Sequence, residues 1–76
     1  MKITNKQQLN AFENTVDKCA STVWVMSPFG GRQYDLKNEL ERYQGLAEMM
    51  DEDMEIYTTD PHDSMLMEHF LLATCA

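Results

Sequence analysis

Apolar residues recur along the first twenty positions at Leu9, Phe12, Val16 and Cys19, intervals of three and four that draw one stripe on an α-helix. Thr4 or Asn5 can cap this helix. Either choice sets a Gln, Gln7 or Gln8, at the third helical position, placed to reach back to the cap as in a capping box. The character of the chain changes at Ser21. Thr22, Val23, Trp24, Val25 and Met26 favour a pleated strand running to Ser27. Pro28-Phe29-Gly30-Gly31 breaks it, and the two glycines supply the positive φ that a hairpin loop needs. Arg32 to Asp35 then returns as a short antiparallel strand, with Asp35 placed to close it and to cap the next helix.

Leu36, Leu40, Tyr43, Ala47 and Met50 are spaced four, three, four and three, which predicts a second helix running to about Met50 with that stripe against the core. Gly45 lies inside it. A mid-helix Gly costs about 0.5–1 kcal/mol relative to Ala, so close packing against another backbone is its physical rationale. Asp51-Glu52-Asp53 forms an acidic connection, and Met54, Ile56 and Thr58 alternate with Glu55 and Tyr57 at the period of a half-buried strand. Thr59-Asp60-Pro61 opens a last helix, with Asp60 as cap and Pro61 at the first position, where its missing N–H does no harm. Met65, Leu66, Met67, Phe70, Leu71 and Leu72 make its apolar face wide.

The element order is thus α-β-β-α-β-α. It predicts the α+β class: a two-layer sandwich on a three-stranded mixed sheet, with the second helix as a right-handed crossover between parallel strands. No linker, repeat or low-complexity stretch interrupts the 76 residues, so residues 1–76 read as one small domain with a small core. The composition, 43% apolar and 25% charged, is that of a folding chain rather than a disordered one.

Charge adds direction to this picture. Lys2, Lys6, Lys18 and Arg32 against Glu13 and Asp17 leave residues 1–34 at +2. Residues 35–76 carry eleven acids against Lys37 and Arg42, a balance of −9, and no Lys or Arg follows Arg42. With six scattered bases and a net charge of −7, direct nucleic-acid binding is not expected, because gripping phosphates requires clustered cations. The uncharged run Cys19–Gly31 is broken by Pro28 and Gly30 and falls short of the roughly twenty residues that span a bilayer. The first eight residues lack a secretory apolar segment, so a cytoplasmic protein without a membrane partner is expected.

The residues that could carry chemistry are few. Cys19 and Cys75 fall on apolar helical stripes, which suits buried reduced thiols, and acidic surroundings would raise their pKa rather than activate them. A bridge between them would require Cα atoms within about 7 Å, a distance the sequence leaves open. His62 and His69 lie seven apart on the last helix, about 10.5 Å along its axis, too far to share one zinc ion comfortably. Asp51, Glu52, Asp53 and Glu55 lack the alternating ligands, central Gly and terminal Glu of a calcium loop. Gly30-Gly31 before a strand fits a hairpin turn rather than a phosphate cradle. No enzyme activity, cofactor or metal site is therefore expected.

The informative element is the first strand. Alternation sends Val23 and Val25 to one face and Thr22, Trp24 and Met26 to the other, so both faces carry large apolar groups. If helices cover one face only, the other exposes Trp24 and Met26 with Tyr57 or Tyr34, a grouping typical of contact surfaces. Seven Met residues, among them Met49, Met50, Met54, Met65 and Met67, suit core filling or adaptable contacts. The sequence thus points to a non-enzymatic protein-binding module whose partner is a basic protein. The contact would be carried by Asp51, Glu52, Asp53, Glu55, Trp24, Met26 and Tyr57. Compact acidic inhibitors from mobile elements, which present carboxylates where phosphates normally sit on a nucleic-acid-handling partner, work in this general way. The alternative is a structural or assembly homodimer whose acidity serves solubility alone.

Overall fold

Asn5 caps α1 (Lys6–Lys18), its Oδ1 accepting the backbone N–H of Gln8 at 2.8 Å. Gln8 reaches back to the N–H of Thr4 at 2.7 Å, so the reciprocal contact closes one residue before the cap. The computed structural model describes residues 1–75, and side chains through residue 74. The other elements are β1 (Val23–Met26), β2 (Gln33–Asp35), α2 (Glu39–Asp51), β3 (Glu55–Thr58) and α3 (Pro61–Cys75), in the predicted α-β-β-α-β-α order of an α+β fold. Whether Cys19 and Cys75 pair lies outside the described residues.

The sheet order is β2-β1-β3, and β1 pairs antiparallel with both neighbours. The expected mixed sheet is therefore corrected to an antiparallel one. β2 and β3 run in the same direction, but β1 lies between them, and the connection through α2 passes over it. The reason lies in the strands themselves. Val23-Trp24-Val25-Met26 is the most apolar and β-prone segment and takes the centre, where both edges are paired, whereas the charged β2 and β3 take the edges. The hairpin before β2 is closed by a β-turn in which the Gly30 N–H donates to the Ser27 carbonyl at 3.0 Å, with Pro28 at its second position. Gly30 and Gly31 have φ of 81° and 90°, which supplies the predicted left-handed backbone.

Helix α2 departs from the sequence expectation in both start and rotation. Asn38, not Asp35, is its cap, accepting the Glu41 N–H at 3.1 Å, while Asp35 closes a local turn onto the Lys37 N–H at 2.8 Å. Leu36 precedes the helix and is fully buried. The buried face is Gly45, Leu46 and Met49. Leu40, Tyr43 and Met50 are instead 68%, 76% and 50% exposed, and Ala47 is exposed with them. Close approach decides the rotation. A Cβ on Gly45 would stand 3.0 Å from Tyr34 Cβ and 3.1 Å from both Val25 Cγ2 and Leu36 Cδ2, so the helix backbone rests directly on the sheet at that residue.

The core gathers Ile3, Phe12, Val16, Val23, Val25, Leu36, Met49 and Met54. α1 meets α3 through the tilted rings of Phe12 and Phe70, 5.4 Å apart. Met49, Met54 and Met67 fill this interior as expected, but Met50 and Met65 face solvent. The first residues are tied to the α2–β3 connection, the Ile3 N–H donating to Met49 and the Met54 N–H to Met1, both at 2.8 Å.

Two charged side chains hold the turn from α1 into β1. The fully buried Asp63 of α3 accepts the N–H of Ala20 at 2.9 Å and of Ser21 at 2.8 Å. The Lys37 ammonium donates to the Val16 and Cys19 carbonyls at 2.7 and 2.6 Å, capping the negative end of α1. Asp60 begins α3 as predicted, its Oδ1 accepting the His62 N–H at 2.9 Å. Burial by itself pushes the Asp63 carboxyl up, but the two backbone donors, helped by His62 and Lys37, outweigh it and hold the carboxyl below its usual range.

This packing has two measurable consequences. Gly45→Ala adds helix propensity, yet its methyl meets the Cβ of Tyr34, which is fixed to a strand. A net loss of about 1 kcal/mol is expected in urea unfolding. Because the folded Asp63 carboxyl is depressed, the stability it contributes is complete above the unfolded value near about 3.9. That contribution is lost as pH falls through the depressed folded value. Asp63→Asn should lower stability at neutral pH and flatten the acid limb of a plot of urea midpoint against pH; an unchanged acid limb would contradict the assignment.

Candidate functional site

The predicted alternation of β1 holds in three dimensions. Val23 and Val25 point to the helices and are fully buried, whereas Trp24 and Met26 point the other way and are half-buried. Register extends each face across the sheet. Trp24 stands between Asp35 and Tyr57, and Met26 between Gln33 and Glu55, so these six side chains share the outward face. The inward face takes Val25 with Tyr34 and Ile56, and Val23 with Thr58. Helices lie on that inward side: Gly45 of α2 approaches Val25 and Tyr34, and the Ser64 hydroxyl of α3 bonds Thr58. Tyr57 therefore joins Trp24 and Met26 outside, and Tyr34 does not. Burial and the neighbouring Glu48 carboxylate push the Tyr34 hydroxyl above its ordinary pKa.

Only one of the four predicted acids belongs to this face. Glu55 opens β3 and lies exposed beside Met26. Asp51 is the last residue of α2 and is exposed, Glu52 caps the helix and meets Arg32 at 3.4 Å, and Asp53 receives the amino group of Met1. These three carboxylates gather where the α2 macrodipole is already negative and the last turn holds no base. Of the three, Glu52 is met by Arg32, which reaches from the hairpin also to Glu48 at 2.6 Å, and Asp53 by the Met1 amino group.

The site is thus a shallow apolar strip, Trp24 and Tyr57 side by side with Met26, bordered by Asp35 and Glu55 and holding no Lys or Arg at any registered position. It can bury aromatic surface against a partner and attract cationic groups around the edge. Elsewhere the side chains with chemistry are dispersed. Burial pushes the Cys19 thiol pKa up, with Asp63 and Asp60 adding to the shift and Lys37 opposing it. His62 and His69 are both exposed on α3, and among the described residues no three His, Cys, Asp or Glu converge as metal ligands. No helix among them is long and apolar enough to cross a membrane.

Sequence reasoning missed the exposed stripe Leu40, Tyr43, Ala47 and Met50 by assigning it to the core. The signal that could have found it was Gly45, whose side of the helix had to be the packing side. Phe29, 96% exposed at the hairpin tip, reads from the sequence only as a turn residue. No family model, curated protein or solved structure matches this chain.

Trp24 is the one tryptophan and reports directly on this face. With each ion scaled to its own quenching of a free neutral tryptophan derivative, the acidic border should favour cationic caesium over anionic iodide at low salt, and the difference should shrink at high salt as the border is screened. Equal scaled quenching by the two ions at low salt would show that the face has no negative field.

Proposed function

We propose that this chain is a small acidic protein-binding module, non-enzymatic and cytoplasmic, that docks on a basic surface of a larger protein through the open face of its sheet. The observation that carries this reading is the outward grouping of Trp24, Met26 and Tyr57 beside Glu55 and Asp35, on a face where a solvated antiparallel sheet ordinarily places polar side chains. The acids at the end of α2, Asp51, Glu52 and Asp53, precede Glu55 in the chain and extend the negative character toward the start of β3. Charge of one sign speeds encounter with a basic partner, and the aromatic strip then holds the complex. The partner class that fits is a nucleic-acid-handling protein whose basic surface accepts carboxylates in place of phosphates. An inhibitor or regulator of the kind encoded by mobile elements has this size and charge.

Internal engagement of the cations argues against direct nucleic-acid binding as the function. Arg32 and Arg42 are held by carboxylates and Lys37 by helix carbonyls, which leaves Lys2, Lys6 and Lys18 dispersed along the N-terminal segment.

The decisive experiment is affinity capture from a native lysate at low and high salt with the wild type and two variants. One variant carries Asp51→Asn, Glu52→Gln, Asp53→Asn and Glu55→Gln, and the other Trp24→Ser and Tyr57→Ser. The wild type should recover a basic protein at low salt and lose it at high salt, and both variants should lose it while remaining folded by circular dichroism. Undiminished recovery by the charge-neutralised variant would sink the proposal. Recovery of nothing at any salt, with a concentration-dependent dimer in sedimentation, would favour the homodimer.

A further inference from the structure

The outward stripe of α2 is a second apolar surface, separate from the open sheet face and independent of the function proposed for it. Leu40, Tyr43, Ala47 and Met50 recur at intervals of three, four and three over nearly the whole helix, and all four are exposed. At 100° per residue the centre of this stripe stands about 130° from the packed side defined by Gly45, Leu46 and Met49, so it points away from the sheet. Such spacing on a surface is a seam that another helix can fill.

We propose that this face seats an amphipathic helix of a partner protein, with apolar residues along its seam and Lys or Arg beside them. Charge selects that occupant. Glu39 and Asp51 flank the two ends of the stripe, and the one base on α2, Arg42, is already committed to Asp17 at 2.8 Å and to the Glu13 carbonyl at 3.2 Å. A cleft of about 310 Å³ beside Tyr43, between α1 and α2, has Leu46 at its base and Glu13, Asp17 and Glu39 around it. Arg42 answers Asp17 there. Glu13 and Glu39 have no cation among the described residues, so a Lys or Arg from the docked helix can enter beside the Tyr43 ring.

The other occupants fit less well. A second copy packed antiparallel, with Leu40 against Met50 and Tyr43 against Ala47, sets Glu39 of one helix beside Asp51 of the other. Parallel packing sets each acid against itself. Both arrangements bring like charges together at the seam. An anionic membrane surface would repel the same carboxylates.

The test uses the full chain, labelled for NMR, and a synthetic helical peptide of about fourteen residues, enough to match α2 at about 1.5 Å per residue. The peptide is built from Leu and Lys with an unbroken apolar seam, and a shuffled peptide of the same composition breaks that seam. Saturable shifts at Leu40, Tyr43, Ala47, Met50 and Glu13 with the first peptide are expected, and binding about tenfold weaker or worse for the shuffled one. Leu40→Ser with Met50→Ser, both at exposed positions that leave the core intact, should weaken the first peptide by a similar factor. Trp24→Ser with Tyr57→Ser should leave it unchanged. Equal binding of the two peptides would overturn the proposal in favour of bulk charge, as would shifts centred on Trp24 and Tyr57. Absence of saturable binding would overturn it outright. A dimer of the free protein abolished by Leu40→Ser with Met50→Ser would assign the face to a second copy instead.

Discussion

The buried carboxylate of Asp63 is the constraint around which the fold is arranged. A charge withdrawn from water must be satisfied on both oxygens, and here each oxygen takes one backbone N–H, from Ala20 and from Ser21. Those donors lie where α1 ends and β1 begins, so the bond pair fixes the first turn of α3 against the entry to the central strand. Lys37 secures the other side of the same junction by taking the last carbonyls of α1, and it does so from the short link between β2 and α2. Segments from three separate parts of the chain therefore meet at one turn. The two charges act on opposite backbone groups, so neither needs the other as a direct partner, and each remains hydrogen-bonded.

How much of this fold is legible in the sequence depends on the range of each interaction. The caps of α1 and α3, the proline start of α3, the glycine turn and the alternation of β1 are local, and residues within four positions specify them. The role of Asp63 is not local. It reads as an ordinary acid in the first turn of a helix, and its hydrogen-bond partners stand 43 and 42 residues away. Sheet order is equally remote, because a crossover through a helix is compatible with parallel neighbours or with an intervening strand. For α2, periodicity determines spacing and leaves rotation open. Two stripes were available, Leu40-Tyr43-Ala47-Met50 and the smaller Gly45-Leu46-Met49, and a count of apolar residues favours the wrong one. Only the requirement that a helical glycine must have a close neighbour picks the right side. The candidate site was legible in the same uneven way: the alternation that placed Trp24 and Met26 together is local, while the separation of Glu55 from Asp51, Glu52 and Asp53 depends on where α2 stops.

The exposed face of the sheet is a consequence of how the helices share their apolar area. α1 and α3 stack on one another through Phe12 and Phe70, and α2 rests directly on Val25 and Tyr34, so all three are spent on the inward side. Among the described residues no further element covers the other side. An antiparallel sheet tolerates this when its second face is polar. Replacing Trp24 and Tyr57 by polar residues would satisfy that condition without disturbing Val23 and Val25, because the two sets never share a face. The aromatic residues therefore lie outside the core, on a face whose fold would accept polar side chains in their place.

Charge sets the borders of these exposed surfaces. Both arginines are used within the fold: Arg42 goes to Asp17, and Arg32 to Glu48 and Glu52. Such exposed pairs contribute little stability, on the order of 0–1 kcal/mol each, but they remove cations from the surface on which partners are sampled. The open sheet face and the outward stripe of α2 are both bordered by carboxylates, Asp35 and Glu55 on the sheet and Glu39 and Asp51 on α2. A border of one sign works against association of two identical copies and in favour of a partner of opposite sign. The apolar centres alone would make this small domain prone to self-association. With their acidic borders, the same centres meet like-charge repulsion when two copies approach and attraction when the approaching surface is basic.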